Sequence, residues 1–172
     1  MDINENSSNS EDQKRLVESQ VDNTLSNFVS DLKSKGAIIE IAKKEIFDMV
    51  DALKIIAPGT QLREALDSIL SGRKGALIAI ASQDIFDLIE GGFKLNCKFT
   101  PQRVFELSKM DGAIVLSNDL KKILYSNCLL TPHPLIPSNE TGTRHKAAER
   151  TAKQAKTLVI AISERRNTIT LY

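Results

Sequence analysis

The continuous apolar run Gly75-Ala-Leu-Ile-Ala-Ile-Ala81 constrains the fold more than any other stretch of this chain. A strand with one face in water alternates apolar and polar residues, whereas this run is apolar at every position. It therefore predicts a central strand of a sheet that is covered on both faces. The turn signal Ala57-Pro-Gly59 lies upstream, and proline disfavours helix at the residue before it.

From Thr60 onward, helical and extended patterns alternate along the chain. Thr60 and Thr100 are suited to cap helices. Pro101 directly follows Thr100, and proline is well tolerated in the first turn of a helix. The fold class predicted is α/β, with a mixed central β-sheet surrounded by helices. The predicted helices span 60–70, 84–90, 100–110 and 143–156, and the predicted strands span 75–81, 93–99, 113–117, 122–130, 157–163 and 168–172.

The first third of the chain has a different pattern. Residues 1–9 are polar and rich in Ser and Asn, which predicts a disordered tail. Residues 10–54 carry two apolar stripes at helical spacing, which predict a two-helix N-terminal appendage. We therefore expect a tail over 1–9, a helical appendage over 10–54 and one main domain over 55–172. A chain of 172 residues is long enough for this arrangement.

Composition excludes several classes of protein. Hydrophobic residues make up 41% and charged residues 26% of the chain, as in soluble globular proteins. The net charge of +1 gives no overall attraction to nucleic acid or to a membrane surface. We find no apolar run long enough for a bilayer and no signal peptide, so we predict a cytoplasmic protein without membrane contact. Cys97 and Cys128 lack metal-ligand spacing and are interpreted as plain strand residues.

The stretch Glu140-Thr-Gly-Thr-Arg-His-Lys-Ala-Ala-Glu-Arg150 carries the first chemical signal. Its glycine turn leads into a helix whose first turn holds Arg144, His145 and Lys146. Cations there oppose the helix dipole by ~0.3–1 kcal/mol each, and a bound phosphate would explain them. The alternative is a solvated basic face that continues through later lysines.

The second signal is Asp111-Gly-Ala113, between a predicted helix and a predicted strand. Asp-Gly is a common turn pair, so a plain turn is one interpretation. The other is that Asp111 is presented as a ligand for a divalent cation and helps to deprotonate an attacking hydroxyl. Ser163, at the end of a predicted strand, could donate to phosphate. A surface turn explains Arg165-Arg166 at least as well as a functional role, and His133, between two prolines, is interpreted as structural or exposed.

These residues resemble the diadenylate cyclase (DAC) domain family, most closely its branch of DNA integrity scanning proteins. The resemblance runs from about Ile55 to Tyr172. It is carried by Gly91-Gly-Phe93, Leu107-Ser-Lys-Met-Asp-Gly-Ala113, Lys122-Ile-Leu-Tyr-Ser-Asn127, Glu140-Thr-Gly-Thr-Arg-His145 and Ile160-Ala-Ile-Ser-Glu-Arg-Arg-Asn167.

The resemblance implies a nucleotidyltransferase that condenses two ATP molecules into cyclic di-AMP and two pyrophosphates, with Mg²⁺ or Mn²⁺. Each domain would hold one ATP, and two domains would meet face to face in a homo-oligomer, as a dimer or a higher assembly. The 3′-hydroxyl of each ATP would then attack the α-phosphate of the other. Phosphoryl transfer of this kind depends on in-line positioning and charge neutralisation.

The resemblance also implies roles for individual residues. Asp111 would bind the metal and favour the 3′-alkoxide, and Arg144 and His145 would be catalytic with it. Gly112 and Leu130 would contact the nucleoside, and Ser163 would donate to phosphate. The triphosphate would be held by Thr143, Arg144, His145, Lys146 and Ala147.

The sequence departs from the family at three points. Lys146 stands where the family has arginine, so a planar fork is replaced by a point charge. The helical spine and the helix-hairpin-helix region are missing, so DNA binding is not expected. The N-terminal helices are longer than we expect for this branch. Two alternatives stay open: a catalytically weak or inactive module that binds ATP or cyclic di-AMP, and an assembly element whose appendage sets the oligomeric state.

Overall fold

The computed structural model describes residues 27, 30, 33–36 and 50–172. Residues 27, 30 and 33–36 are helical, but the predicted tail over 1–9 and most of the predicted appendage over 10–54 lie outside the described residues. The elements discussed below belong to one compact unit, residues Ala52–Tyr172.

The described strands of this unit form one mixed sheet. The elements in chain order are α1 (Gln61–Ser71), β1 (Ala76–Ile80), a 3₁₀ helix (Asp84–Leu88), β2 (Ile89–Glu90), β3 (Phe93–Lys98), α2 (Pro101–Leu107), β4 (Ala113–Leu116), β5 (Lys122–Leu130), α3 (Thr143–Ala155), β6 (Val159–Ser163) and β7 (Thr168–Leu171). The strand order is β2–β5–β4–β1–β6–β7, and β3 pairs with the other part of β5. Strands β1 and β4 run parallel, and the other pairs are antiparallel. This confirms the predicted mixed sheet.

Helices cover both faces of the sheet. On one face Ile78 of β1 packs in a cluster with Leu66 of α1 and Val104 of α2. On the other face Leu77 of β1 packs in a second cluster with Ala148 of α3. All five residues of β1 are buried, because alternate side chains enter the two clusters. The prediction of a central strand covered on both sides is confirmed.

The helix starts follow the predicted capping pattern. The hydroxyl of Thr60 accepts a hydrogen bond from the backbone N–H of Arg63 at 3.2 Å. Thr100 caps α2 in the same way, through the N–H of Arg103 at 3.2 Å. Each bond satisfies one N–H that has no partner inside the helix.

Two predicted elements are shorter than the sequence pattern indicated. The segment predicted as a helix over 84–90 is a 3₁₀ helix that ends at Leu88, because Glu90 is drawn into the sheet opposite Leu129. The helix predicted to reach residue 110 ends at Leu107, and its cap, Ser108, donates its hydroxyl to the carbonyl oxygen of Phe105 at 2.7 Å.

Within the described part of the chain, none of the helices is long and apolar enough to cross a membrane.

Both cysteines lie in strands, as predicted, and both are free thiols. Burial raises the pKa of the Cys128 thiol, so this side chain behaves as an apolar core residue.

Candidate active site

Several of the candidate site residues lie at one edge of the sheet, where the ends of four neighbouring strands meet. Strands β1 and β4 are parallel and both begin at this edge. Strands β5 and β6 are antiparallel to them and end there, with Cys128 opposite Ala113 and Ile162 opposite Ala76. The edge therefore brings together residues 111–112, the end of β5 and Ser163. Gly112 and Ser163 flank the start of β1, two strand spacings or roughly 10 Å apart.

The turn before β4 requires a glycine. Gly112 has φ +89°, and a Cβ atom there would lie 2.8 Å from the carbonyl oxygen of Cys128. The side-chain amide of Asn127 donates to the carbonyl oxygen of Asp111 at 2.7 Å. Asn127 itself has φ +55°, at an irregular point in the pairing of β4 with β5. The turn is thus held closely against β5 by backbone contacts.

The carboxylate of Asp111 takes no part in these contacts. Asp111 is exposed, and within residues 50–172 none of the hydrogen bonds or ion pairs uses its side chain. Groups of three or more His, Cys, Asp or Glu side chains that could enclose a metal ion are absent from the described residues. A cation at this turn would be held by one carboxylate and by oxygens of a ligand, a coordination typical of Mg²⁺ with nucleotides.

Helix α3 begins without a side-chain cap. Its N-cap is Gly142, and its first helical bond runs from the N–H of Lys146 to the carbonyl oxygen of Gly142 at 2.8 Å. The N–H groups of Thr143, Arg144 and His145 precede that bond, and these donors have no acceptor inside the helix. The first turn contains no acidic residue. Three free N–H groups and three basic side chains make this turn suited to bind an anion.

Arg144 connects this turn to the sheet edge. Its Nη1 donates to the carbonyl oxygen of Ile162 at 3.4 Å. Its guanidinium lies directly over Gly75, where any Cβ atom would overlap it. Arg144 also lines a cavity of about 500 Å³ together with Ser163, Glu164 and Arg165. The structure therefore places Arg144 and Ser163, both predicted from sequence, at one cavity.

His145 is held by residues that the sequence did not single out as functional. Its Nδ1 lies 2.9 Å from the hydroxyl of Tyr172, which donates to Oε1 of Glu140 at 2.6 Å. The two rings meet edge to face, with centroids 6.2 Å apart. Burial and the bond to Glu140 raise the pKa of the Tyr172 phenol. The cluster of Glu140, Tyr172 and His145 is called the tyrosine relay below.

The remaining site residues predicted from the sequence lie at the start of α3 and at the end of β5. Lys146 and Ala147 are half-buried in the first turns of α3, and Thr143 is exposed at its start. Leu130 is only 5% exposed, so its side chain belongs to the core. Thr131 donates its N–H to Leu88 on the β2 side, at 2.9 Å. Since backbone groups of successive strand residues point to opposite sides, those of Leu130 point toward the turn before β4.

The loop that leads into α3 is fastened to the side of that helix. Glu149 accepts hydrogen bonds from the hydroxyl of Ser138 and from the N–H of Asn139. It also pairs with Lys153, whose Nζ lies 2.7 Å from Oε1. These partners, Lys153 first, lower the pKa of Glu149 to about 2. Sequence reasoning missed this role, because glutamate and lysine four residues apart look like an ordinary surface pair.

The chain is similar in sequence to a known family and its members. The sequence model of the DAC family, described as "DisA bacterial checkpoint controller nucleotide-binding", matches residues 63–172. The chain is 54% identical over 131 residues to the DNA integrity scanning protein DisA of Acetivibrio thermocellus, covering 76% of this chain and 36% of that protein. It is 57% identical over 125 residues to DisA of Carboxydothermus hydrogenoformans, covering 72% of this chain and 36% of that protein.

Two solved structures share the fold. DacA from Staphylococcus aureus, crystallised as a double mutant, has a TM-score of 0.54 at 23% identity and covers 70% of this chain and 82% of its own. A hypothetical membrane spanning protein from Bacillus cereus has a TM-score of 0.57 at 23% identity, covering 64% of this chain and 57% of its own. The chain spans little more than a third of the length of the curated relatives it matches, 36% in two cases. The match of the family model over 63–172, together with the glycine turn and basic helix start at one sheet edge, shows that the chain belongs to the DAC family.

Proposed function

We propose that the protein is a diadenylate cyclase that condenses two ATP molecules into cyclic di-AMP and two pyrophosphates. In each half of the reaction a 3′-oxygen forms a bond to the α-phosphorus of the other ATP, and the bond from that phosphorus to pyrophosphate breaks. The observation that carries the proposal is the shared sheet edge, where the Asp111 turn, Arg144 and Ser163 converge.

The start of α3 is proposed as the triphosphate site. The N–H groups of Thr143, Arg144 and His145 are free of helical partners, and Arg144 is anchored by the carbonyl of Ile162. Fixed donors and cations stabilise developing phosphate charge without reorganising during the reaction. Lys146 adds a further positive charge, Ala147 has a small side chain beside it, and Ser163 lines the same cavity as Arg144.

The turn before β4 is proposed to hold the nucleoside end of ATP. Gly112 lets the backbone come close to the ligand, and the backbone groups of Leu130 face the same turn. Asp111 would hold Mg²⁺ or Mn²⁺ together with phosphate oxygens. When bound, the cation supplies charge neutralisation and lowers the cost of the 3′-alkoxide. The carboxylate is exposed and has no ion-pair partner within residues 50–172, which fits this role.

The two ATP molecules are proposed to lie on separate protomers that meet face to face. One candidate site holds one triphosphate turn and one Asp111 turn, whereas ring closure needs two of each. Specific activity is therefore expected to rise with enzyme concentration until pairing saturates. This mechanism is wrong if specific activity stays flat from nanomolar to micromolar enzyme in a demonstrated monomer.

The decisive experiment incubates the purified chain with ATP and either Mg²⁺ or Mn²⁺ and separates the products by chromatography. Cyclic di-AMP and pyrophosphate in a 1:2 ratio, as the balanced reaction requires, support the proposal. ATP binding by calorimetry without any product would favour the alternative of an inactive binding module. The substitution of arginine by Lys146 is the feature that keeps this alternative open.

A further inference from the structure

The tyrosine relay joins three separate segments of the chain. Glu140 belongs to the loop before α3, His145 to the first turn of α3, and Tyr172 follows β7. The backbone of Tyr172 is anchored on the sheet, since its N–H donates to Val159 at 2.9 Å and its carbonyl accepts from Val159 at 3.0 Å. The hydroxyl therefore connects a rigid strand edge to the proposed triphosphate site.

The directions of the two hydrogen bonds at the Tyr172 hydroxyl fix the tautomer of His145. A carboxylate can only accept hydrogen bonds, so the single proton of the Tyr172 hydroxyl goes to Glu140 at 2.6 Å. The hydroxyl oxygen must then accept at its other contact, with Nδ1 of His145 at 2.9 Å. That contact is a hydrogen bond only if Nδ1 carries a proton.

The other ring nitrogen offers no competing restraint. Nε2 of His145 is buried and lacks a hydrogen-bond partner among the described residues. Within the described residues, the contact with the Tyr172 hydroxyl is therefore the one hydrogen bond of the His145 ring, and it fixes the orientation of that ring. The edge-to-face contact of the two rings restrains its position but does not choose a tautomer.

We propose that Tyr172 is a positioning residue for nucleotide binding: held by Glu140, its hydroxyl fixes the Nδ1–H tautomer and the ring orientation of His145. Through His145 it fixes the first turn of α3. This inference rests on the proposed function, because the turn is taken to hold the triphosphate of ATP. It also adds a contact that the residue pattern of the turn does not contain, since Tyr172 lies 27 residues from His145 in sequence.

The kinetic test compares Tyr172→Phe with Tyr125→Phe, a matched control because these are the two tyrosines of the chain. Both variants lose one hydroxyl and keep the ring. Tyr125 is a residue of β5 whose ring lies against Phe86 of the 3₁₀ helix, outside the proposed site. We expect Tyr172→Phe to raise the KM for ATP about fivefold and to lower kcat as well, because the turn is proposed both to hold the triphosphate and to stabilise its developing charge. Tyr125→Phe should leave both constants unchanged.

A spectroscopic test needs no turnover. The chain has two histidines, so ¹⁵N-histidine spectra can be assigned with a His133→Asn variant. At pH values where the ring is neutral, His145 should show the Nδ1–H tautomer in the wild type and a mixture or the Nε2–H tautomer in Tyr172→Phe. Glu140→Gln keeps an acceptor for the hydroxyl and should retain the wild-type tautomer, whereas Glu140→Ala should not.

The two tests separate this inference from the proposed function. A wild type that makes no cyclic di-AMP overturns the proposed function, yet the tautomer measurement still decides whether the relay fixes His145. An active wild type whose KM and tautomer are both unaffected by Tyr172→Phe overturns the inference alone. Melting temperatures of all variants, measured without ligand, show whether a raised KM is due to partial unfolding; a variant that is partly unfolded at the assay temperature is re-measured below its transition.

Discussion

The side-chain amide of Asn127 donates a hydrogen bond to the carbonyl oxygen of Asp111 at 2.7 Å. The amide thereby holds the backbone of the turn and leaves the Asp111 carboxylate free. Gly112 packs against the same part of β5. Stability and the proposed chemistry are therefore separable at this turn: the backbone contacts hold the turn, and the exposed carboxylate is the proposed metal ligand.

We expect Asp111→Asn to abolish synthesis of cyclic di-AMP while the protein stays folded. The carboxylate has no partner among the described residues, so its loss should barely change the free energy of unfolding. Losing the charge that positions a cation and the attacking oxygen should lower the rate by about 10²-fold or more. The control is Asp67→Asn, which removes an exposed carboxylate paired with Arg63 on α1. If folded Asp111→Asn turns over at a near-normal rate, Asp111 is only a turn residue.

A comparison of Gly59 with Gly112 distinguishes the cost of backbone strain from the cost of a steric clash. Gly59 and Gly112 have nearly equal φ, +90° and +89°, but a Cβ atom at Gly59 meets nothing within 4 Å. Replacement by alanine should cost ~1–2 kcal/mol of strain at either position. At Gly112 the contact with Cys128 should add ~1–3 kcal/mol. Urea denaturation of the two variants measures the difference, and equal losses would show that the turn can move away from β5.

The sequence was sufficient to predict the mixed sheet and its helix caps. Gly75 to Ala81 is apolar throughout because both faces of β1 are covered, and Thr60 and Thr100 cap helices as their positions indicated. Asp111 and Arg144 were marked by glycine turns and by cations that oppose a helix dipole. The strand register then brings these two local signals to the same edge, which could not be read from local pattern alone.

Other contacts depend on tertiary structure and could not be predicted. Tyr172 lies 32 residues from Glu140, and only the pairing of β6 with β7 brings them together. The sequence predicts a helix over 84–90, yet the pairing of Glu90 with Leu129 limits it to the 3₁₀ helix Asp84–Leu88. Most of the predicted appendage over 10–54 lies outside the described residues.

Gly75→Ala should affect activity more than stability. The atom that a Cβ would meet is the far end of the Arg144 side chain, which can swing away. We therefore expect the free energy of unfolding to change by less than about 1 kcal/mol and the rate to fall about tenfold as the guanidinium loses its position. A double-mutant cycle with Arg144→Ala should be strongly non-additive. Additive effects would mean that Gly75 acts independently of Arg144.

The bonds of Glu149 predict a pH-dependent contribution to stability. Its folded pKa is about 2, below the ordinary value of 4.5. A depressed carboxyl pKa stabilises the fold above the unfolded pKa, and this stabilisation is lost as the pH falls from about 4.5 to about 2. Glu149→Gln should therefore lower the urea midpoint at pH 7, and the deficit should shrink by pH 3. Glu106→Gln, which breaks an exposed pair with Lys109, should show little change at either pH. A deficit for Glu149→Gln that is the same at pH 7 and pH 3 would contradict the assignment.

Lys146 stands at one of the three points where the resemblance to the DAC family leads us to expect a different feature, here an arginine. Its N–H makes the first helical bond of α3, to Gly142 at 2.8 Å, which places its side chain in the proposed triphosphate turn. Its ammonium has no ion-pair partner within residues 50–172. Lysine neutralises phosphate charge, but it cannot grip two phosphate oxygens through parallel N–H bonds as arginine does.

We therefore expect Lys146→Arg to increase the single-turnover rate several-fold, equivalent to ~1 kcal/mol of barrier, because the phosphate would be held more rigidly for in-line attack. Lys146→Ala should lower the rate by more than that, since phosphate charge would be left under-compensated. Lys156→Ala, which removes a lysine just after the other end of α3, is the control for a change in overall charge. The rates are compared at saturating ATP and metal. An arginine variant slower than wild type would show that the pocket has adapted to lysine, and an alanine variant as fast as wild type would show that residue 146 does not contact the reacting phosphates.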